Sequence, residues 1–338
     1  MKPFTLDRPE SAADAVRAVA ADPTAVYLAG GTNLVDHLKL GVAAPDRIVD
    51  VKTLTSAEIR EHDGELVIGA GVRNSDLAAD SRVRERYPVL AEALLSGASA
   101  QLRNMATTGG NPLQRTRCSY FQDVTTPCNK RSPGAGCSAL GGATRYHAIL
   151  GASEHCVATH PSDMAVALLA LDARVHVLGP AGDRVVPFAD LHRLPGDRPD
   201  RDTVLGHGDL ITEITLPAAS WARRSRYRKV RDRASYAFAL VSVAAGVSLV
   251  DGVLDDVRVA LGGVAHQPWR AYRAEEVLRG QRPSVELFRA AADAELADAR
   301  PLDGVDGGNA FKIPLTRRTL AAVLRDLTAD PTAEEPGR

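Results

Sequence analysis

The sequence predicts an α+β chain of two domains. In the first, short strands alternate with helices; in the second, a sheet of three long strands precedes a helical layer. Three observations carry this reading. The chain has 338 residues, more than one hydrophobic core usually serves. Its apolar pattern changes character after Pro217 to Trp221, a candidate linker, where short segments give way to long alternating runs. Helical spacing then dominates the last stretch of the chain.

Taken in order, Ser11 followed by Asp14 opens an amphipathic helix to Ala21, with Ala15, Val16, Val19 and Ala20 on its apolar face. Ala25 to Ala29 reads as a strand entering Gly30 and Gly31, and Thr32 or Asn33 can cap a second helix to about Leu40. Arg47 to Val51 and Leu66 to Val72 read as strands, the latter after a turn at Asp63-Gly64. Gly69 and Gly71 lack the third glycine of a dinucleotide fingerprint, since Asn74 occupies its place, so they are strand glycines. Asn74 or Ser75 can cap a helical segment, and Arg82 to Leu95 is helical with a break at Pro88. Asp163 to Leu171 reads as a helix, with strands at Arg174 to Leu178, Arg184 to Pro187 and Leu210 to Leu216. The three long strands are Ser225 to Val230, Ala239 to Leu249 and Val253 to Leu261, followed by helices at Glu275 to Leu278, Val285 to Leu296 and Thr316 to Leu327. The tail over 331–338 has the composition of a disordered segment.

Composition narrows the function classes. With 41 basic and 42 acidic side chains the formal charge is -1, which gives no reason to expect a nucleic acid or anionic membrane partner. No apolar run approaches the roughly 20 residues of a membrane span, and the first residues carry no signal-peptide core. The expectation is a cytoplasmic protein, with periplasmic placement only by export on a partner's signal. No Ser-His-Asp order, kinase signature or molybdenum-site motif is visible, so no catalytic residue is assigned.

Two features point to ligands. The turns at Gly30-Gly31 and within ATTGGNP (Ala106 to Pro112) offer bare backbone amides to an anion, with hydroxyls and an amide alongside. Each taken alone is equally a connecting turn. All four cysteines, Cys118, Cys128, Cys137 and Cys156, lie in one stretch rich in glycine and proline, with a spacing that fits neither a zinc ribbon nor a compact ferredoxin run. Convergence on one metal centre and buried free thiols both stay open; disulfides have less to recommend them in a chain this long. His147, His155 and His160 lie nearby and read as structural, as does Asp123 in a turn.

AGGTNL (Ala29 to Leu34), QLRNMATTGGN (Gln101 to Asn111) and PSDMAVALLAL (Pro161 to Leu171) resemble the flavin-binding medium subunit of the xanthine dehydrogenase and aldehyde oxidoreductase family, over nearly the whole chain. The resemblance implies a two-part FAD-binding domain of the PCMH or vanillyl-alcohol-oxidase-like kind over 1–218. It also implies a CO-dehydrogenase-flavoprotein-like C-terminal domain over 219–330, a three-stranded sheet with helices. FAD contacts then fall on Ala29, Gly30, Gly31, Thr32, Asn33 and Leu34, on Thr108, Gly109, Gly110 and Asn111, and on Asp163. A lysine of the C-terminal part also approaches the flavin in this family; Lys229 in RYRKVRD is the match, a solvated strand lysine being the other reading.

Ordinary members pass from the TxGGN loop to Ser-Asp in about ten residues, whereas here residues 112–161 intervene and carry every cysteine. This insertion resembles the subgroup of bacterial periplasmic-type aldehyde oxidoreductases whose flavin subunit binds an additional [4Fe-4S] cluster, with Cys118, Cys128, Cys137 and Cys156 as its ligands. The implied role is an electron-transfer subunit with FAD and the cluster, partnered by a large molybdenum-cofactor subunit, a small subunit with [2Fe-2S] clusters, and an external acceptor. A structural zinc module and a free-standing flavin oxidase are the alternatives. Arg115, Arg117, Lys130, Arg131 and Arg145 against Asp123 and Glu154 leave an excess of three positive charges, expected to raise a cluster's potential.

Overall fold

The structure, a computed structural model, describes residues 1–329. The tail expected to be disordered over 331–338 lies outside the described residues.

The chain begins with a small parallel sheet. Strands β1 (Thr5–Asp7), β2 (Ala25–Leu28) and β3 (Arg47–Asp50) take the order β1-β3-β2, with helices α1 (Ala12–Ala20) and α2 (Leu34–Leu40) in the crossovers. The Ser11 hydroxyl accepts from the Asp14 amide and starts α1, as its sequence predicts. Ala15, Val16 and Val19 then bury one stripe of α1 together with Val49 and Val51. Strand β1 escapes sequence reading because it is three residues long and mostly exposed, so it shows no alternation.

A five-stranded antiparallel sheet follows, built from β4 (Ile59–His62), β5 (Glu65–Gly69), β6 (Arg174–Gly179), β7 (Gly182–Pro187) and β8 (Leu210–Leu216) in the order β4-β5-β8-β6-β7. The two-residue turn at Asp63 and Gly64 has φ of 50° and 80°, the left-handed pair that matches the twist of hairpin strands. Between β5 and β6 lie α3 (Asn74–Ala79), α4 (Ser81–Arg86), α5 (Pro88–Ser96) and the short α6 (Ala100–Arg103), α7 (Ser119–Gln122) and α8 (Asp163–Ala170). Pro88 breaks the long helical pattern by starting α5, where its missing amide costs nothing. All eight residues of α8 are buried, because this helix packs against α5 on one side and against the second domain's sheet on the other. The one-turn helix α9 (Phe188–Leu191) leads out of β7.

The second domain has β9 (Ser225–Val230), β10 (Val241–Val250), β11 (Val253–Gly262) and β12 (Trp269–Arg270), then α10 (Tyr272–Leu278), α11 (Val285–Glu295) and α12 (Lys312–Thr328). The expected three-stranded sheet is four-stranded, since the two-residue β12 pairs with the end of β11. Two residues of the cysteine-containing insertion, Ile149 and Leu150, are buried in this domain's core, and Leu150 bridges Ala265. Among the described residues no helix is long and apolar enough to cross a membrane.

Lys312 is fully buried at the start of α12, with Nζ donating to the carbonyls of His147 at 2.8 Å and Gly263 at 2.7 Å. Burial, with the charge of Arg145, lowers its pKa to about 7. The unfolded chain keeps the proton up to the ordinary lysine range, so above pH 7 the unfolded state binds more protons and stability rises with pH. Wild type is expected to gain about 2 kcal/mol relative to Lys312→Met between about pH 7 and 9. Urea titrations at both pH values check this, and parallel pH dependences of the two proteins would refute it.

Candidate functional site

A cleft of about 1490 Å³ runs where the parallel sheet, the antiparallel sheet and the second domain meet. Ala29, Gly30, Gly31, Thr32, Asn33 and Leu34 line it from the β2–α2 turn, Gly109, Gly110 and Asn111 from the second glycine loop, and Asp163 and Lys229 from α8 and β9. Thr108 does not line it. Its hydroxyl and amide both donate to the Val72 carbonyl, at 2.9 and 2.8 Å, and its neighbour Thr107 faces the cleft instead.

The glycines serve loop-to-loop contact as well as ligand access. A Cβ on Gly30 would sit 2.1 Å from the Met105 carbonyl oxygen and one on Gly109 2.6 Å from the Ala70 Cβ, so these positions let backbones touch. Gly110 differs, since its Cβ would meet only Thr107, the hydroxyl at 3.1 Å. Gly69 and Gly71 repeat the first pattern against the carbonyls of Ser56 and Thr55; Gly69 ends β5, as a strand glycine, while Gly71 lies in the turn beyond it.

What remains unpaired in the cleft is polar and donor-rich. Among the described residues no backbone carbonyl accepts from the amides of Gly30, Gly31, Thr32, Asn33 or Gly110. Asn33 does not cap α2 through its side chain; its Oδ1 accepts from the Arg115 amide at 3.2 Å, while its Nδ2 is buried without a partner. Thr107 Oγ1 is likewise buried and unpartnered. Buried polar atoms are rarely left so, and these fit a polar ligand in the cleft.

Asn111 and Ser162 hold the walls together. The Ser162 hydroxyl accepts from the Ala165 amide as the cap of α8 and donates to Asn111 Oδ1 at 2.5 Å. Asn111 Nδ2 donates to Asn74 Oδ1 at 3.0 Å. The Asp163 carboxylate accepts from Lys229 Nζ at 2.7 Å and from the Tyr227 hydroxyl at 2.5 Å. Lys229 also donates to the Ser96 carbonyl and is 3% exposed, so it is no solvated strand lysine. Burial, with the Asp163 charge, pushes Tyr227 well above its ordinary value and keeps it a donor. Tyr227 could not be picked out from the sequence, because its role arises only when folding brings β9 beside Asp163.

The four cysteines are all free and line one small cavity, which Lys130 and Thr116 also border. The backbones of Cys128 and Cys137 form an isolated antiparallel β-bridge, and Gly134, Gly136 and Gly141 take positive φ in the turns around them. Burial pushes the Cys118 thiol up to about 12 and raises Cys156, with Lys130 opposing the latter. His147 Nε2 lies 3.1 Å from Cys118 Sγ, and burial, with the charge of Lys312, lowers its ring to about 4. Among the described residues no group of three or more His, Cys, Asp or Glu is placed to hold a single metal ion. Cys118 and Thr116 line both the thiol cavity and the large cleft, which makes them the wall between the two.

His160 is half-buried and edge-on to His192, with ring centroids 4.5 Å apart, and His155 contributes its backbone. The Asp123 carboxylate closes a turn by accepting from the amide and hydroxyl of Thr125. The excess of positive charge counted in the insertion does not survive folding. Lys130 and Arg115 both pair with Asp202, Arg117 pairs with Asp36, and Arg145 pairs with Asp232, carboxylates that lie outside the counted segment. Burial works against ionisation of Asp202, yet those two cations hold its carboxyl below the usual range.

Comparison with known proteins adds the following. Residues 2–219 match the family described as FAD binding domain in molybdopterin dehydrogenase, and residues 225–327 match the CO dehydrogenase flavoprotein C-terminal domain. The chain is 50% identical over 331 residues to the aldehyde oxidoreductase FAD-binding subunit PaoB of Escherichia coli (strain K12), covering 97% of this chain and 99% of that one. It is 26% identical to the xanthine dehydrogenase FAD-binding subunit of Escherichia coli O157:H7, over 95% of both chains. Among solved structures, a chain of the carbon monoxide dehydrogenase from Hydrogenophaga pseudoflava lacking the Mo-pyranopterin moiety superposes with a TM-score of 0.74 at 26% identity, over 96% of each chain.

Proposed function

The chain belongs to the family of FAD-binding subunits of molybdopterin dehydrogenases, and from that premise we propose that it is the flavin- and [4Fe-4S]-binding electron-transfer subunit of an aldehyde oxidoreductase complex. Its partners are a large subunit with the molybdenum cofactor and a small subunit with [2Fe-2S] clusters, and an external acceptor takes the electrons. The observation that carries the flavin assignment is the convergence of two glycine loops, α8 and β9 on one cleft, from four separated parts of the chain.

In this reading the amides of Gly30, Gly31, Thr32, Asn33 and Gly110 bind the FAD pyrophosphate, with Asn33 Nδ2 and Thr107 Oγ1 supplying the side-chain contacts they lack at present. Ala29, Leu34, Gly109 and Asn111 shape the cleft. Lys229, held by Asp163 and the Ser96 carbonyl, sets its ammonium group in the wall. Thr108 orients the loop from behind. Bound FAD supplies two-electron chemistry, while the protein supplies binding, orientation and electrostatics. We take the FAD domain as 1–218 with the insertion at 112–161, and the second domain as 219–330.

Cys118, Cys128, Cys137 and Cys156 are the ligands assigned to the cluster. Support comes from four free thiols around one cavity. Burial raises the thiol pKa values of Cys118 and Cys156, and a bound metal would deprotonate its thiols outright. Each single Cys→Ser variant is expected to lose iron and sulfide and to expose residues 112–161 to protease, with flavin largely retained. Metal analysis and visible spectra of complexes purified anaerobically check this; four variants with full iron content, or zinc in the wild type, would overturn it.

A further inference from the structure

We infer that the cysteine-containing insertion clamps the β9–β10 loop, residues 231–240, across the mouth of the large cleft and so sets how freely an acceptor reaches the flavin. This rests on the assignment of FAD to that cleft. The loop has no regular structure, and Asp232, Arg233, Tyr236 and Phe238 line the cleft while Tyr236 is 58% and Phe238 43% exposed, which places them at its rim.

Arg231 donates to the Ser96 carbonyl and Arg233 to the Tyr236 carbonyl within the loop, while Asp232 and Phe238 are tied down from the insertion. The Asp232 carboxylate accepts from Arg145 Nη2 at 2.7 Å and from the Tyr146 hydroxyl at 2.5 Å. Arg117 lies over the Phe238 ring, 5.0 Å from its centroid, and pairs with Asp36 on α2 at 2.9 Å, so it spans the mouth from the first domain to the loop. These anchors are themselves fixed. The amides of Thr144 and Arg145 both donate to Asp306 at 3.0 Å, and the His147 carbonyl accepts from buried Lys312 and Asn309. A loop without a core of its own, held by three side chains on a rigid base, opens when those side chains go.

The test uses Tyr146→Phe combined with Asp232→Asn, and separately Arg117→Ala, in the co-expressed complex. Amide hydrogen exchange over residues 231–240 should quicken about fivefold, with exchange in β9 and β10 unchanged. Reoxidation of the reduced flavin by dioxygen, which takes two electrons and two protons and leaves as hydrogen peroxide, should quicken to a similar degree in anaerobic stopped flow. Unchanged exchange in both variants would overturn the clamp. Faster exchange with unchanged reoxidation would overturn its control of access. Failure of the underlying assignment looks different, because wild type itself would then purify without flavin.

Discussion

Gly30→Val and Gly110→Val are both expected to purify with almost no FAD, and only the first should also lose stability. At Gly30 the added Cβ would stand 2.1 Å from the Met105 carbonyl oxygen, a backbone atom that cannot step aside. The two loops must therefore part, and with them go the free amides of the β2–α2 turn. Overpacking of this kind costs about 1–3 kcal/mol. At Gly110 the Cβ would meet only Thr107, so the branched side chain fits the fold and extends towards the ligand volume. Flavin absorbance per chain and thermal melting of the flavin-free proteins separate the two effects. Full flavin occupancy in Gly110→Val would remove the second loop from the binding site.

Asp163→Ala should destabilise the molecule by about 3–5 kcal/mol. The cost is less the lost pair than what stays behind, a lysine 3% exposed whose remaining partner is one carbonyl, and a buried Tyr227 hydroxyl with no acceptor. Removing the charge as well, in Asp163→Ala with Lys229→Met, should recover a large part of the loss. Urea unfolding of the two single variants and the double variant gives the coupling directly. Additive losses would mean the pair is not a unit.

How far the sequence could be read depended on how local each signal was. The strand β8 and the cap of α1 were legible because alternation and a Ser-x-x-Asp start are properties of a few adjacent residues. The glycine loops were legible as places where backbone is bare, but the sequence could not say what approaches them. Gly30 and Gly109 turn out to pack against Met105 and Ala70, and Gly110 meets only Thr107. Lys229 was ambiguous because its environment is made by Asp163 and Ser96, residues far away in the chain. The charge count of the insertion misled for the same reason: Asp36, Asp202 and Asp232, which answer its cations, lie outside it. Short edge pieces such as β1 and β12 were missed because two or three residues show no period.

The way the insertion is sewn into the second domain bears on whether it could ever have been a portable cassette. Ile149 and Leu150 complete a core otherwise made by residues beyond Val230, and the His147 carbonyl is one of the two acceptors of buried Lys312. Excising 112–161 would leave a hole in that core and a buried amine short of a partner. The thiol cavity is therefore expected to go with matching residues just after β11 and at the start of α12, so residues at positions such as 265, 309 and 312 should travel with the cysteines from one chain to another.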